Sequence, residues 1–294
     1  MSAAGYDERY GAYKEQVEEA LQVYCRALIQ PDSQVGKAAA YSLLSGGKRV
    51  RGCLVLAFND LLGGESEKAL PFAAAMEMVH AYSLIHDDLP CMDDDDMRRG
   101  MPSCHKAFGE ATALLAGDAL LTMAFSALAC AQLPPAFVQQ ATVSLSAAAG
   151  PKGMILGQEL DLYYEDHPAG EQELMRIHQG KTGALIRAAV ELGCASAQTP
   201  APPAALAYAE KVGLVFQIID DVLDVTADTA QLGKPAGSDV QNHKTTFVTL
   251  YGVEKACDKA QVLTMEAVTE LEACFGDKAA FLREFACRLA ARKN

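Results

Sequence analysis

The 294-residue chain contains no tryptophan, and aromatic residues make up only 7% of it. Strand signals are also scarce, because alternating polar and apolar residues and runs of Val, Ile or Thr are few. Apolar residues instead recur at helical spacing over long segments such as 13–29 and 205–226. The sequence therefore predicts an all-α protein. No segment resembles a flexible linker, so we expect one domain over residues 1–294.

Other features that the sequence lacks argue against several classes of protein. The nine cysteines include no C-x-x-C pair, which favours reduced thiols over disulfides or a zinc site. The net charge of −13 and the lack of a basic tract argue against nucleic acid as a partner. The N-terminus has no apolar signal region, and we judge no later apolar run long enough to span a bilayer. We expect a soluble, cytoplasmic protein with no membrane span.

Acidic residues are concentrated in residues 85–100, IHDDLPCMDDDDMRRG, which hold six aspartates directly followed by two arginines. Pro90 disfavours helical geometry at the residue before it, so a helix is expected to bulge or end there. Asp87 and Asp93 could then converge across the bulge. Most aspartate runs are solvated surface, but this one follows an apolar helix and precedes bases.

A second acidic cluster lies in FQIIDDVLD, where Asp220 and Asp224 are four residues apart and share one helix face with Gln217. Like charges at this spacing destabilise a helix, so a positive partner is expected. Asp221 points elsewhere and is expected to bond water or backbone.

Carboxylate oxygens are the ligands that Mg²⁺ selects, and Mg²⁺ keeps further positions for water and substrate phosphate. Two such clusters across a cavity would hold a polyphosphate through bridging metals. An EF-hand is excluded, because the required glycine and closing glutamate are absent from the first cluster.

Bases cluster at GGKRVR, with Lys48, Arg49 and Arg51, and at Arg98 and Arg99. On an acidic protein they favour an anionic ligand, since arginine binds phosphate bidentately. Gly46 and Gly47 could let the backbone approach that anion. The alternative is a glycine turn with ordinary surface bases, and the P-loop spacing is absent. Single bases at three later positions are weaker signals; they are Lys181, Lys234 and Lys244.

These motifs stand in a fixed order along the chain with five others, FGEATALLAGDALL, GQELDL, KTGALIRAA, LGKPAGSD and HKTTFVTLYG. In this order they resemble the motifs of the head-to-tail trans-isoprenyl diphosphate synthases. Within that family they are most similar to the bacterial farnesyl diphosphate synthase group. The resemblance covers nearly the whole chain. It implies a helical bundle of the isoprenoid synthase type with a central active-site cavity, Mg²⁺ as cofactor, and a homodimer.

The resemblance also implies roles for single residues. Asp87, Asp93 and Asp220 would bind Mg²⁺, as members of motifs that also contain Asp88, Asp221 and Asp224. Arg98 would bind the allylic diphosphate. The diphosphate of isopentenyl diphosphate would be bound by Lys48, Arg51, His80 and Arg99. The allylic substrate and its leaving group would be lined by Lys181, Thr182, Gln217, Lys234 and Lys244, of which the first three would be catalytic.

The chain departs from the family pattern in two places: Gly52 stands where proline is usual, and Phe247 where tyrosine is frequent. Asp94 to Asp96 have no implied metal role, and we expect them to orient the arginines or cap the next segment. Glycines 233 and 237 would permit the region of Lys234 and Lys244 to close as a lid, which the sequence does not decide.

Product length is expected to depend on Tyr82, five residues before the first aspartate motif, where an aromatic residue resembles enzymes that stop at fifteen carbons. It lies about 7 Å down the helix at about 1.5 Å per residue. We expect farnesyl diphosphate, made from isopentenyl diphosphate and dimethylallyl or geranyl diphosphate. The alternatives are a geranylgeranyl diphosphate synthase, a Tyr82 that is only core, and a non-catalytic regulatory subunit. A terpene cyclase is disfavoured because it needs no second diphosphate site.

Overall fold

The structure, a computed structural model, describes residues 1–226 and 244–292. Apart from one short hairpin, the regular elements in these residues are helices, so the all-α prediction is confirmed. The elements are α1 (Ala3–Leu28), α2 (Gln34–Leu43), α3 (Val50–Leu61), α4 (Ser66–Asp87), β1 (Met97–Arg98), β2 (Met101–Pro102), α5 (Cys104–Phe108), α6 (Glu110–Ala129), α7 (Pro135–Ala149), α8 (Met154–Tyr163), α9 (Glu171–His178), a π-helical turn (Gln179–Gly183), α10 (Ala184–Ser196), α11 (Pro203–Thr226), α12 (Phe247–Tyr251), α13 (Val253–Phe275), a 3₁₀ turn (Gly276–Ala279) and α14 (Ala280–Ala290).

By its internal contacts the chain divides into two compact units. We call Asp7–Val143 with Leu192–Thr199 the N-terminal unit, and Met1–Tyr6, Ser144–Glu191 and Pro200–Asn294 the C-terminal unit. A single domain over residues 1–294 stays a prediction.

In the N-terminal unit α4 is the central helix, with α3 and α6 packed against it. Its middle is rich in alanine and methionine, and residues 72–79 are all buried. Small side chains let neighbouring helices approach from several sides, which explains why α4 has no polar face. Its C-terminal end therefore emerges from the core directly into the first aspartate cluster.

Helix α6 is long and apolar enough to cross a bilayer by length and composition, which differs from the expectation that no run is. Such a test is also passed by core helices of globular proteins. Here α6 packs against α4 and α2, with Ala113, Ala116, Leu120 and Ala124 fully buried, while Leu114 and Leu115 are exposed.

In the C-terminal unit α11 is the central helix and contacts α12, α13, α14 and the π-helical turn. The fully buried Tyr208 fixes α14, because its hydroxyl donates to the Leu282 carbonyl at 2.7 Å. The π-helical turn is held close to α8, since a Cβ at Gly157 would lie 2.0 Å from the Lys181 nitrogen. Only glycine fits there, so α8 fixes the position of the turn.

A buried charge network joins α1, α3 and α4 in the N-terminal unit. The Arg49 side chain is 1% exposed and donates to Glu18 at 2.8 Å and to the Leu43 carbonyl at 2.7 Å. Glu77, also 1% exposed, lies 3.5 Å from the Arg49 guanidinium and accepts from the Gly52 N–H at 2.8 Å. Arg49 therefore has a structural partner set and does not join the predicted anion-binding bases.

We predict that Glu77→Leu lowers the free energy of unfolding by about 3–5 kcal/mol, because it leaves a buried arginine half-paired and the Gly52 N–H without its acceptor. Glu77→Gln keeps an acceptor oxygen and should cost less. Urea denaturation measures both. As control, Glu19→Leu replaces an exposed carboxylate of the same unit and should change stability by about 0.5 kcal/mol or less. Equal losses at Glu77 and Glu19 would contradict the network's role.

Candidate active site

The first aspartate cluster forms where α4 ends. The helix stops at Asp87, and the chain turns back so that the Asp93 N–H donates to the Asp87 carbonyl at 2.9 Å. Pro90 is exposed in this turn. The predicted helix end at Pro90 is therefore found, and the backbone bond brings Asp87 and Asp93 together across it.

Asp88 has a different role from its neighbours, because its side chain is buried and holds an arginine. Its Oδ1 accepts from Arg98 Nε at 2.9 Å, and Asp95 Oδ2 accepts from the same guanidinium at 3.2 Å. Burial raises the pKa of Asp88 above its ordinary value, although Arg98 pulls it down. Asp88 thus positions Arg98, and Asp95 helps to orient it. The orienting role was expected for residues of the run Asp94 to Asp96.

Arg99 is held by the glycine turn. Its guanidinium donates to Ser45 Oγ at 3.2 Å and to the Gly46 carbonyl. A Cβ at Gly47 would lie 2.9 Å from Arg99 Cζ, and Gly47 has a φ of 113°. The sequence had suggested that these glycines admit an anion to the backbone. In the structure Gly47 makes room for Arg99, itself a predicted anion-binding side chain, and the approach of an anion to the backbone stays a prediction.

Three further predicted substrate residues lie in the same unit. Arg51 NH1 is 3.4 Å from His80 Nε2, and the Arg51 side chain is largely buried. Burial lowers the pKa of His80 well below its ordinary value, and the positive charges of Arg51 and Arg99 lower it further. Lys48 is exposed, and its carbonyl accepts from the Tyr10 hydroxyl at 2.6 Å. His80 is thus a neutral imidazole in a positive field, a setting suited to an anion.

Tyr82 lies on the buried side of α4, with 5% of its surface exposed. Its ring meets His86 edge to face at 5.7 Å. The hydroxyl is buried and has no hydrogen-bond partner among the described residues. Burial, with a smaller effect from Asp87, raises the pKa of Tyr82 to about 12. The side chain is therefore a neutral, bulky group below the aspartate cluster.

In the C-terminal unit two predicted lysines meet at one carboxylate. Lys181 Nζ donates to Asp161 Oδ2 at 2.7 Å, and Lys244 Nζ lies 3.3 Å from the same oxygen. Lys244 also pairs with Glu165 at 2.9 Å. Burial would raise the pKa of Asp161, but the two lysines hold it below its ordinary value. Asp161 belongs to GQELDL, whose residues carried no assigned role at the sequence level.

Thr182 and Gln217 complete the predicted catalytic trio with Lys181. Thr182 is buried in the π-helical turn, an irregularity often found at functional sites. Gln217 Nε2 lies 3.4 Å from Asp220 Oδ2 on α11, which confirms the shared helix face.

The positive partner expected for the second aspartate cluster is Arg292, which the sequence analysis missed. Its NH2 pairs with Asp220 Oδ1 and donates to the Phe216 carbonyl at 2.9 Å, and its Cζ lies 4.2 Å from the Phe216 ring centroid. Arg292 stands 72 residues after Asp220, so no local pattern indicated the contact.

Asp221 anchors the start of α12. It is buried, and its Oδ2 accepts from the Phe247 N–H at 2.7 Å, which matches the expected backbone bond. The His178 ring stacks on Phe247 at 5.3 Å, and its Nε2 is 3.8 Å from Asp221 Oδ2. Burial lowers the pKa of His178 to about 4. This packing fixes the start of α12, which begins three residues after Lys244. Asp224 is buried as well.

The predicted site residues thus fall into two groups. The N-terminal unit holds Lys48, Arg51, His80, Asp87, Asp93, Arg98 and Arg99, and the C-terminal unit holds Lys181, Thr182, Gln217, Asp220 and Lys244. Lys234 and the predicted lid glycines lie outside the described residues. The metal and substrate roles of these residues stay predictions.

Comparison with known proteins places the chain among prenyl synthases. The family model described as polyprenyl synthetase matches residues 32–285. The chain is 45% identical to farnesyl diphosphate synthase of Escherichia coli (strain K12) over 273 residues, 91% of each chain. It is 43% identical over 270 residues to the heterodimeric geranylgeranyl pyrophosphate synthase large subunit 1, chloroplastic, of Arabidopsis thaliana, covering 89% of this chain and 73% of the relative.

Comparison with solved structures leads to the same family. The geranyltransferase of Helicobacter pylori, complexed with magnesium and isoprenyl diphosphate, superposes with a TM-score of 0.86 at 33% identity over 97% of this chain and 98% of that one. The geranyltransferase of Legionella pneumophila gives a TM-score of 0.89 at 39% identity over 100% and 99%. The fold is therefore the all-α isoprenoid synthase fold, and the chain belongs to the polyprenyl synthetase family.

Proposed function

We propose that this trans-prenyl synthase is a Mg²⁺-dependent farnesyl diphosphate synthase. It condenses isopentenyl diphosphate head to tail with dimethylallyl diphosphate, then with geranyl diphosphate, and releases pyrophosphate each time. The family supplies the prenyl-transfer reaction, whereas the metal, the product length and the residue roles are our proposal. We further propose that the enzyme is a cytoplasmic homodimer.

The observation that carries this proposal is the positive field at His80, where Arg51 NH1 lies 3.4 Å from the imidazole Nε2. The charges of Arg51 and Arg99 reach this imidazole, as do those of Arg49 and Arg98. An isopentenyl diphosphate bound by Lys48, Arg51 and Arg99 would offset this field, and His80 would contribute a hydrogen bond. Arg49 and Arg98 have carboxylate partners of their own, so the diphosphate is assigned to Lys48, Arg51 and Arg99.

Three of the motif aspartates, Asp88, Asp221 and Asp224, are buried, which leaves the other motif aspartates more accessible to Mg²⁺. Asp88 holds Arg98 and Asp221 holds the Phe247 N–H, so the metal is assigned to the more exposed carboxylates, Asp87, Asp93 and Asp220. Mg²⁺ usually takes one or two carboxylates and fills its other positions with water and substrate phosphate. When bound, Mg²⁺ neutralises the diphosphate and so stabilises the charge that develops on the leaving group. The magnesium and isoprenyl diphosphate in the structure of the Helicobacter pylori relative support Mg²⁺ as the metal.

The side chains then account for the reaction. Arg98, Lys181 and Lys244 bind the allylic diphosphate and stabilise the pyrophosphate as its carbon–oxygen bond breaks. Oxygens of Thr182, Gln217 and the π-helical backbone face the allylic cation, while apolar surroundings exclude water. The double bond of isopentenyl diphosphate attacks this cation and forms the new carbon–carbon bond. The resulting cation loses a proton, which the released pyrophosphate accepts.

Product length is assigned to Tyr82. Its bulk and burial place a barrier on the helix below Asp87, at a depth of about 7 Å by helical rise. Chain growth would stop when the prenyl tail meets this ring. The second candidate is a geranylgeranyl diphosphate synthase, favoured by the plant relatives of that name at 43% identity.

Metal dependence is tested with purified protein, isopentenyl diphosphate and dimethylallyl diphosphate. We expect pyrophosphate release with Mg²⁺, none after EDTA, and recovery when Mg²⁺ is restored. Asp87→Asn and Asp220→Asn should each lower kcat/KM by about 100-fold or more, because one ligand charge is lost. Asp32→Asn, at an exposed aspartate, is the control and should leave kcat/KM unchanged. No release from the wild-type protein would favour a regulatory subunit.

The role of Asp88 is tested by a double-mutant cycle with Arg98. If Asp88 acts by holding this guanidinium, Asp88→Asn should lower kcat/KM for the allylic substrate about 10- to 100-fold, and the variant with Asp88→Asn plus Arg98→Gln should be no worse than Arg98→Gln alone. Asp95→Asn, which removes the single longer bond, should have a smaller effect. Additive losses in the double variant would instead make Asp88 a direct ligand of metal or substrate.

The product barrier is tested at Tyr82. Tyr82→Ala should extend the product beyond fifteen carbons, because the ring that blocks the tail is removed. Tyr82→Phe keeps the ring and loses only the unpartnered hydroxyl, so its product should remain farnesyl diphosphate. Chromatography of products made from labelled isopentenyl diphosphate measures both. Unchanged product length in Tyr82→Ala would remove the basis for farnesyl diphosphate.

A further inference from the structure

A group of potential metal ligands lies beside the site at the base of the β1–β2 hairpin. One ligand atom each of Asp94, Asp96 and His105 can be chosen so that all lie within 4.8 Å of one another. Asp94 and Asp96 precede β1, and His105 follows β2, where the Asp96 carbonyl accepts from the Ser103 N–H at 2.9 Å. The group therefore joins the two ends of the hairpin that carries Arg98 and Arg99.

The imidazole of His105 distinguishes this group from an ordinary acidic surface. His105 is 5% exposed, and its Nδ1 lies 3.1 Å from Ser103 Oγ. The other ring nitrogen, Nε2, is buried, has no hydrogen-bond partner within residues 1–226 and 244–292, and lies 3.9 Å from Asp94 Oδ1. An unpaired buried nitrogen is costly. In the tautomer that donates from Nδ1 to Ser103, Nε2 carries a lone pair 3.9 Å from Asp94 Oδ1, the usual state of a metal-ligating histidine.

A lysine partly fills the position of a cation here. Lys106 Nζ lies 2.7 Å from Asp96 Oδ1 and 3.9 Å from Asp94 Oδ1, and its side chain is 42% exposed. An ammonium neutralises the carboxylates, but it has no lone pair and cannot bind as a ligand beside His105. Being flexible and exposed, it can be displaced by a divalent ion that also satisfies the imidazole.

We propose that Asp94, Asp96 and His105 bind a divalent transition-metal ion such as Zn²⁺, at a site separate from the Mg²⁺ carboxylates. One imidazole nitrogen and two carboxylate oxygens suit Zn²⁺, whereas Mg²⁺ prefers oxygen alone. Bonds of about 2.0–2.2 Å require the ligand atoms to draw closer than they are. The side chains of Asp94 and Asp96, 61% and 74% exposed, have the freedom to do so.

Binding of the ion would link the two ends of the β1–β2 hairpin. Because the ligands come from both sides of β1 and β2, the ion would restrain the segment that presents Arg98 and Arg99. An effect on allylic substrate rests on the function proposed above, but the binding itself does not. The test therefore reads binding directly.

The test is isothermal titration with Zn²⁺ in the presence of excess Mg²⁺, on the full chain. We expect one equivalent of Zn²⁺ in the wild type, which His105→Gln and Asp96→Asn each weaken about 10-fold or more. Lys106→Gln should bind more tightly, because the competing ammonium is removed. The exposed Asp96 variant keeps the test valid if His105→Gln folds poorly. The expected second readout is slower hydrogen exchange over residues 97–103 with Zn²⁺, absent in Asp96→Asn.

Two controls separate this site from other ligands. His167→Gln changes an exposed histidine elsewhere, and Cys91→Ser removes an exposed thiol near the cluster. Both should bind Zn²⁺ as the wild type does. The proposal is overturned if His105→Gln and Asp96→Asn bind normally, if only Cys91→Ser loses the ion, or if Lys106→Gln binds more weakly.

Discussion

The pairing of half-buried cations with carboxylates is the constraint on which the rest of the structure depends. An arginine or lysine removed from water needs a compensating charge at all times, including before any substrate arrives. Asp88 does this for Arg98, and Asp161 does it for Lys181 and Lys244. The same carboxylates also fix the orientation of the cations. One ion pair therefore both neutralises the charge of a cation and preorganises its position. An anion that binds beside these cations would meet groups whose positions are already set, which would lower the entropy cost of binding.

Contacts between residues close in the sequence could be predicted from it, whereas contacts between distant residues could not. Pro90 indicated the end of α4 and the return of Asp93 towards Asp87, because both effects act over a few residues. Helical spacing likewise placed Gln217 beside Asp220. The partner of Asp220, Arg292, could be anticipated only as an unnamed positive charge, since a contact across 72 residues is set by how α11 and the C-terminal end pack.

The motif residues were harder to interpret than to find. From the sequence, Asp88 and Asp221 were grouped with the metal-binding motifs that contain them. The structure shows that Asp88 holds a guanidinium and that Asp221 holds a backbone N–H. The glycine turn was interpreted as an approach for an anion, although Gly47 makes room for Arg99. In each case the residue type was correct for an ionic site. The particular partner depended on tertiary packing, which composition and spacing do not encode.

Gly52 illustrates how a departure from a family pattern becomes tied to its surroundings. Its N–H donates to Glu77, and a Cβ at this position would lie 3.0 Å from the Val17 side chain on α1. The proline usual in the family has no N–H and adds a ring, so restoring it alone would remove a donor and crowd α1. Substitutions at positions 17, 52 and 77 are therefore interdependent. The family's consensus residue is not a safe replacement in this chain, and sequence drift at these three sites would have to proceed jointly.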